Sequence, residues 1–491
     1  MRPVTMARAD SAYGRGDRAE ARALYAGVLA QDSTASRAVF RLAQLEVSDA
    51  RALALYRRYI ALEPGDAWGH MAEGDLLARM GRLDDALVAY AGAHAVAPGE
   101  RDVSLGRARL LERAGRSQQA IQELSAWVTQ HPDDGEAWDL LGRSRARAGR
   151  PRVAADAFER ASQLRVAGAV TRLDAVRAAA APSITPDVAS MGDSDGNGST
   201  RIGGSFEAMV ADGFRVGAGA WRHTVGDDID EVPGTDLSAR LAAVPTPAMR
   251  ASVEAGAIRY GPSLASRESW TAFHAAARLR ARAPLSGASL DLRAEHAPLG
   301  FSPALIVNQV ARSEARATIE VPILGLRARG TGRLARIEAR AEPPNRRGSL
   351  EGALVLSSGV LQPSVQYRVT GYERVSTAGY FAPRRSETVE GGLYVEFGED
   401  GPLSLSADAG GGVQRVVAHG TGVPRPAPRG SGNAWSRTLR LWAQAALSLG
   451  PARAWYVELE AYDAPFALEG AGSDGSWRYL ALSSGLRWSI R

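Results

Sequence analysis

The sequence predicts an α+β chain of two domains: an N-terminal α-solenoid of helical repeats, followed by a C-terminal antiparallel transmembrane β-barrel of about 14 to 16 strands. Three observations predict it. A 34-residue spacing recurs in the first third, the hydrophobic period changes from helical to two near residue 200, and several later segments are longer than strands of soluble sheets. At 491 residues the chain also exceeds what one hydrophobic core ordinarily holds.

The repeats come first along the chain. GRLDDALVAY, GRSQQAIQEL and GRPRVAADAF begin at Gly81, Gly115 and Gly149, so successive units are 34 residues apart. Later positions keep step: Ala86, Ala120 and Ala154; Tyr90, Leu124 and Phe158; Pro98 and Pro132. This spacing predicts a helix–turn–helix unit. Glycine takes the turn position where φ is positive, alanine lets paired helices approach, the larger residue fills the groove of the next repeat, and proline ends the second helix. EAWDLLG, from Glu136 to Gly142, carries a W-x-x-L-G opening, and here the sequence resembles the tetratricopeptide-repeat family. Two upstream matches, GDRAEARALYAGVLAQDS and DARALALYRRYIALEPGD, bring the expected total to about five repeats over residues 7–165. A solenoid of this kind is expected to bind other proteins, while Trp68, Trp127 and Trp138 are expected to pack between repeats.

Residues 166–200 read as a linker, marked by Pro182, Pro186 and a run of Gly, Ser and Asp. Within it, Asp193, Asp195, Asn197 and Gly198 match the opening of a calcium loop, but the twelfth position falls on Gly204, where a bidentate Glu is required. A polar turn is the expected structure, and no metal is assigned.

From residue 201 to 491 the period is two. Leu480, Leu482, Leu486, Trp488 and Ile490 share one face, opposite Ala481, Ser483, Gly485, Arg487 and Ser489. Ala315, Ala317, Ile319, Val321 and Ile323 oppose Arg316, Thr318, Glu320 and Pro322. Trp455, Val457 and Leu459 oppose Tyr456, Glu458 and Glu460. A soluble β-sandwich would bury the apolar face, whereas a membrane barrel turns it to lipid and keeps a polar lumen. Segments 310–323, 332–341, 437–449 and 478–490 reach the nine to eleven residues of a tilted membrane crossing. Length therefore favours the barrel, and a sandwich-bearing soluble adaptor is the alternative.

Composition excludes whole classes of chemistry. The chain has no cysteine and no lysine, so its 59 basic residues are all arginine. Thiol nucleophiles, thiolate metal sites, the phosphate-loop lysine and lysine Schiff bases are all absent. The seven histidines show no ligand spacing, and the acidic Glu458 and Glu460 share a strand face instead of flanking a substrate from different elements. No enzymatic activity and no cofactor are expected. A formal charge of +5 without a dense basic run gives no reason to expect nucleic acid.

One short stretch carries a second resemblance. Gly379, Tyr380, Phe381, Ala382 and Pro383 resemble the G-Y-Y-S-P stretch in the C-terminal region of the cellulose synthase operon protein C family, and the following ETVEGGLYVEF fits the same region. The resemblance covers residues 360–415 in detail, beyond the layout of solenoid and barrel. Departures are the small number of repeats, Phe381 and Ala382 in place of Tyr and Ser, and Arg491 at the end where barrels usually carry an aromatic.

The resemblance implies an outer-membrane pore for an exopolysaccharide such as cellulose, associated with biofilm formation. Its solenoid would lie in the periplasm and dock periplasmic or inner-membrane polysaccharide synthase components. The first thirty residues contain no secretory apolar core, so this localisation requires an upstream start or a longer precursor. Aromatics stack on sugar rings, and Arg, Asp and Glu hydrogen-bond hydroxyls. Candidate glycan-contacting or pore-lining residues are therefore Arg278, Arg280, Arg293 and Glu320, then Arg336, Glu338, Glu458 and Glu460. Tyr380 and Phe381 are expected to line a mouth or constriction, or to belong to an aromatic girdle facing lipid.

Overall fold

A computed structural model of the chain describes residues 5–246, 248–283, 286–356, 359–398, 401–419, 435–450, 452–463 and 478–490. Arg491, whose departure from an aromatic terminus the sequence raised, lies outside them. The chain divides into two units, Met1–Leu173 and Asp174–Arg491.

The first unit is helical. Its elements are α1 (Met6–Gly14), α2 (Arg18–Gln31), α3 (Ser36–Leu45), α4 (Asp49–Leu62), α5 (Ala67–Arg79), α6 (Leu83–Val96), α7 (Arg101–Arg113), α8 (Ser117–Gln130), α9 (Gly135–Arg147) and α10 (Pro151–Gln163). α11 (Ala169–Ala180) runs across the boundary. Local chemistry starts several of these helices. The side chains of Asp17, Asp66 and Asp134 accept N–H groups of the first turns of α2, α5 and α9, and Pro151 opens α10. Gly81, Gly115 and Gly149 sit between paired helices with φ of 76°, 71° and 73°, where a side chain would be strained.

Packing follows the repeat. Ala86, Ala120 and Ala154 are fully buried, as are Tyr90, Leu124 and Phe158 almost completely. The Tyr90 ring lies where a Cβ on Gly74 of α5, or on Gly106 of α7, would come within 2.5 Å. One aromatic therefore locks its own repeat to the next. Trp127 and Trp138 pack against the core as expected, but Trp68 is 53% exposed. The tetratricopeptide geometry is thus carried by small residues facing large ones.

The second unit is a closed barrel. Its first strands are β1 (Ser183–Asp193), β2 (Gly198–Ala211), β3 (Phe214–Gly226), β4 (Glu231–Thr246), β5 (Met249–Tyr260), β6 (Trp270–Arg282) and β7 (Ser289–Pro298). A short helix, α12 (Pro303–Val307), precedes β8 (Ala311–Ile323), β9 (Leu326–Ala339), β10 (Glu342–Leu356), β11 (Leu361–Tyr372) and β12 (Arg385–Phe397). The last are β13 (Leu403–Val417), β14 (Trp435–Ser448), β15 (Arg453–Asp463) and β16 (Arg478–Ser489). Each strand pairs antiparallel with its sequence neighbours, and β1 pairs with β16 through Ser183 opposite Ser489. The sheet has no free edge, which removes the sandwich alternative.

Residues 166–200 differ from the expected linker, because they hold α11 and β1. The barrel begins at Ser183 instead of near residue 201. Its first strand was hidden because its outer face carries only Ile184 and Val188 as large apolar residues, with Pro186 and Ser190 between and beyond them. The calcium-like run is the β1–β2 turn. The Asp193 carboxylate accepts the N–H groups of Asp195 (2.9 Å) and Asn197 (3.0 Å), and Gly204 already lies within β2.

The two ends of the barrel differ. At one, the turn end, β2 joins β3 through residues 212–213 and β8 joins β9 through 324–325. At the other, the loop end, connections extend to 261–269, 299–310 and 373–384. Short turns at one rim and long loops at the other are the usual asymmetry of outer-membrane barrels.

Outward-facing residues are apolar and exposed: Phe273 is 70% accessible, Leu334 73% and Leu350 66%. A soluble protein does not leave so continuous an apolar belt to water. Phe214, Phe397, Trp455 and Trp488 fall near the turn end of this belt, and Phe273 and Trp435 near the loop end. These supply the interfacial aromatics.

Candidate functional site: the barrel interior and its lid

Register decides which side chains face inward. On β8 and β9, Arg316 pairs with Arg333 and Glu320 with Arg329, so the strip through Arg327, Arg329 and Arg333 shares the interior with Glu314, Arg316 and Glu320. On β14 and β15 the register sets Trp442 opposite Glu460 and Gln444 opposite Glu458, again facing inward.

The interior polar groups form a ladder. Glu320 accepts from Arg327 and Arg329, both at 3.1 Å, and Glu351 accepts from Arg368 at 2.9 Å and Arg333 at 3.3 Å. Glu314 accepts from Arg316 at 3.0 Å and also lies 3.7 Å from Arg347 and 3.9 Å from Arg312. Around the barrel, Asp408 pairs with Arg440 at 2.6 Å, and Glu458 accepts the Trp442 indole N–H at 2.8 Å. Of these groups, all but Glu320 and Glu458 border a cavity of about 780 Å³. Such pairs hold long side chains upright along the wall, with geometry set by cross-strand spacing.

Most of the expected residues stand here. Arg278 and Arg280 both donate to Asp291, at 3.0 Å and 3.1 Å. Arg293 pairs with Glu295 on the same inner face, and Glu320, Glu458 and Glu460 also face inward. Arg336 and Glu338 do not. They sit one register position away from the inward strip, facing outward, and pair with each other at 2.7 Å with exposed side chains. The reason lies at the end of β9: here the inward positions are Ala335, which is buried, and Ile337, which packs against a lid, while the outward charges lie towards the loop end of the apolar belt.

That lid is built from two connections. Residues 299–310, including α12, send Leu299, Leu305 and Val310 into a cluster with Ile337, Tyr372 and Tyr380. Ile306 joins a second cluster with Val225, Val232, Ile258 and Tyr260 from β3, β4 and β5. Residues 373–384 complete the cover. Gly379, with φ of 100°, places its α-carbon against Ala304 and Leu305, so any side chain there would be strained and crowded. Asn345 clamps the segment: its Nδ2 donates to Arg374 O at 2.8 Å and to Tyr380 Oη at 3.3 Å, while its Oδ1 accepts Arg374 N–H at 3.0 Å. Asn308 Nδ2 adds a bond to Ala378 O at 3.1 Å.

The two aromatics of the GYFAP stretch therefore part company. Tyr380 is 3% exposed, with its ring centroid 6.3 Å from that of Tyr372. Phe381 and Pro383 instead border the interior cavity. Neither faces lipid. Sequence reasoning missed the arginine strip of β8 to β11 and the contact of His274 with Asp236 at 2.9 Å, with His223 3.6 Å from the same carboxylate. The inward parity of each strand carried the signal, but it becomes readable only once the register is known.

The tetratricopeptide-repeat family model matches residues 77–143. No curated protein matches the chain. Among solved structures, the chain is similar to one described as a bacterial polysaccharide outer membrane secretin, at 12% identity over 64% of this chain and 99% of that one, with a TM-score of 0.45. It is also similar to MamA from Desulfovibrio magneticus RS-1, at 15% identity over 34% of this chain and 96% of that one, with a TM-score of 0.31. YrrB, described as a TPR protein with an unusual peptide-binding site, matches at 17% identity over 32% of this chain and 82% of that one, with a TM-score of 0.29.

Proposed function

We propose that this chain is an outer-membrane pore through which an exopolysaccharide leaves the cell, with tetratricopeptide repeats that dock components of the polysaccharide synthase in the periplasm. The observation that carries the reading is the two-faced barrel: sixteen strands closed without an edge, apolar outside and lined inside by paired Arg, Asp and Glu with few large apolar groups. A lumen of this kind offers hydrogen-bond donors and acceptors to hydroxyl-rich chains and needs no catalytic group.

Within this reading Arg278, Arg280, Arg293, Glu320, Glu458 and Glu460 are lumen contacts for the glycan, and Phe381 is a stacking face on the cavity wall. Tyr380 acts indirectly by holding the lid. The resemblance of residues 360–415 supports a cellulose-like polymer. The reading is tested by deleting the gene in its host and measuring secreted polysaccharide while fractionating the membranes. Export should fall, and the protein should appear in the outer membrane with heat-modifiable gel mobility. Recovery as a soluble protein, or undiminished export, refutes it.

A further inference from the structure

The lumen is not evenly charged. Among the described residues, eight arginines and five carboxylates border the interior cavity. Seven of the arginines come from β8 to β11: Arg312 and Arg316, then Arg327, Arg329 and Arg333, then Arg347 and Arg368. The carboxylates paired with them on the same strands are Glu314 and Glu351, which border the cavity, and Glu320, which does not; each is shared by two or three guanidiniums. Glu390, Glu396 and Asp408 lie on β12 and β13, and Glu458 and Glu460 farther round on β15. One wall is thus an arginine track and the adjoining wall is acidic.

Sharing leaves donors over. A guanidinium has five N–H donors and a carboxylate about four acceptor positions, so these three carboxylates, even with Glu295 of β7 accepting from Arg312 and Gln362 accepting from Arg327, cannot occupy the donors of seven arginines. The Nε groups of Arg316, Arg327 and Arg333 are shielded and reach no protein acceptor among the described residues. A neutral glycan needs donors and acceptors in comparable number and gains nothing from such an excess. A cationic one would be repelled by this wall. Carboxylates match guanidinium forks in both charge and geometry.

We propose that the polymer conducted by this barrel carries carboxylate groups, which travel along the arginine track of β8 to β11 while the acidic wall of β12 to β15 keeps them from binding elsewhere. This rests on the pore reading above and puts an acidic glycan in place of the neutral cellulose-like polymer that the resemblance alone supports, whether the carboxylate belongs to a uronic acid or to an acidic substituent. The sharing also explains how the track can release its cargo. Each guanidinium already has a carboxylate partner, so a passing anion exchanges partners without leaving a bare charge.

The test uses the full chain purified in detergent and inserted in planar bilayers. Ion current is recorded while hexagalacturonate, cellohexaose or the glucosamine hexamer is added on either side. Hexagalacturonate is expected to block the current, more weakly as salt rises, and the other two to block at least about tenfold less well. Arg316→Gln with Arg327→Gln leaves Glu314 and Glu320 each with another guanidinium, so the barrel keeps its internal pairs. This double variant should weaken hexagalacturonate block by about tenfold or more and leave the cellohexaose response unchanged. A barrel that conducts but is blocked equally by all three oligomers, or best by the glucosamine hexamer, overturns the acidic-glycan proposal and leaves the pore reading standing. A heat-modifiable, inserted barrel that passes no current under any condition overturns the pore reading itself. A methyl-esterified hexagalacturonate that blocks as well as the free acid would also overturn the proposal, without use of any variant.

Discussion

Tyr380→Ala should open the loop end of the barrel. Tyr380 is almost fully buried, packed with Leu305, Ile337 and Tyr372, and its hydroxyl is one of two acceptors for Asn345 Nδ2. Truncating a buried aromatic to alanine costs about 3 to 5 kcal/mol in a well-packed core. The hydroxyl adds little, because Asn345 keeps its 2.8 Å bond to Arg374 O when the 3.3 Å bond is lost. The sixteen-strand ladder does not depend on Tyr380, so the loss falls on the packing of residues 373–384 against α12.

Taking the lower figure, about 3 kcal/mol shifts the closed-to-open ratio of the lid by roughly 150-fold. Single-channel recording of the full-length protein reads this directly as open probability, and sensitivity of cells to a large antibiotic reads it in the membrane. Tyr380→Phe is the control, because it keeps the ring and removes only the hydroxyl; it should stay near the native open probability. If Tyr380→Ala assembles as a heat-modifiable barrel and its open probability stays within about twofold of native, the packed loop is not what closes the mouth.

Three further outcomes test other parts of the fold. Leu350→Arg, at the middle of β10 on the outer face, should destabilise the inserted barrel by about 2 to 4 kcal/mol in vesicle unfolding, whereas Ala353→Arg on the inner face of the same strand should not. Gly115→Val places a β-branched residue at φ of 71° and should lower the melting temperature of the isolated solenoid by several degrees in circular dichroism. Asp134 is pushed upward by partial burial, but hydrogen bonds from Arg101, the Trp127 indole and Ala137 N–H outweigh this and hold it below its usual value. Its contribution to solenoid stability is therefore full above the unfolded carboxylate value of about 3.9 and is lost as pH falls through the lower folded value, so Asp134→Asn should flatten the acid limb of a pH-dependent melt.

The solenoid was legible because its signal is local. Gly81, Gly115 and Gly149 are forced by turn geometry, and Tyr90 needs the small Gly74 and Gly106 within a span shorter than one repeat on either side. The barrel was legible as a class, since alternation along Leu480 to Ile490 requires only one strand. Its lumen was only partly legible. Arg278, Arg280 and Glu320 could be assigned inward because apolar neighbours such as Leu279, Ile319 and Val321 mark the other face, but near the end of β9 both faces change character. Ile337 is inward and covered by the lid, and Arg336 is outward beyond the apolar belt, so polarity alone inverts the assignment. Only pairing with β8 and β10 fixes it, and pairing is a long-range property.

The GYFAP stretch shows the same division between local and long-range information. Its glycine and proline announce a turn, and its resemblance points to a glycan, but which aromatic meets the lumen depends on α12, some seventy residues earlier in the chain. Ala304 and Leu305 occupy the space beside Gly379, and this sends Tyr380 into the lid and leaves Phe381 on the cavity wall. The two neighbours should consequently fail in different ways. Tyr380→Ala should loosen closure with block by oligosaccharide preserved, and Phe381→Ala should weaken oligosaccharide block with closure preserved, by about 1 to 3 kcal/mol if the ring stacks on sugar as aromatic platforms do on flat ligands. Identical phenotypes for the two variants in bilayer recordings would mean that the segment works as one structural turn, and that the separation of lid from lumen is mistaken.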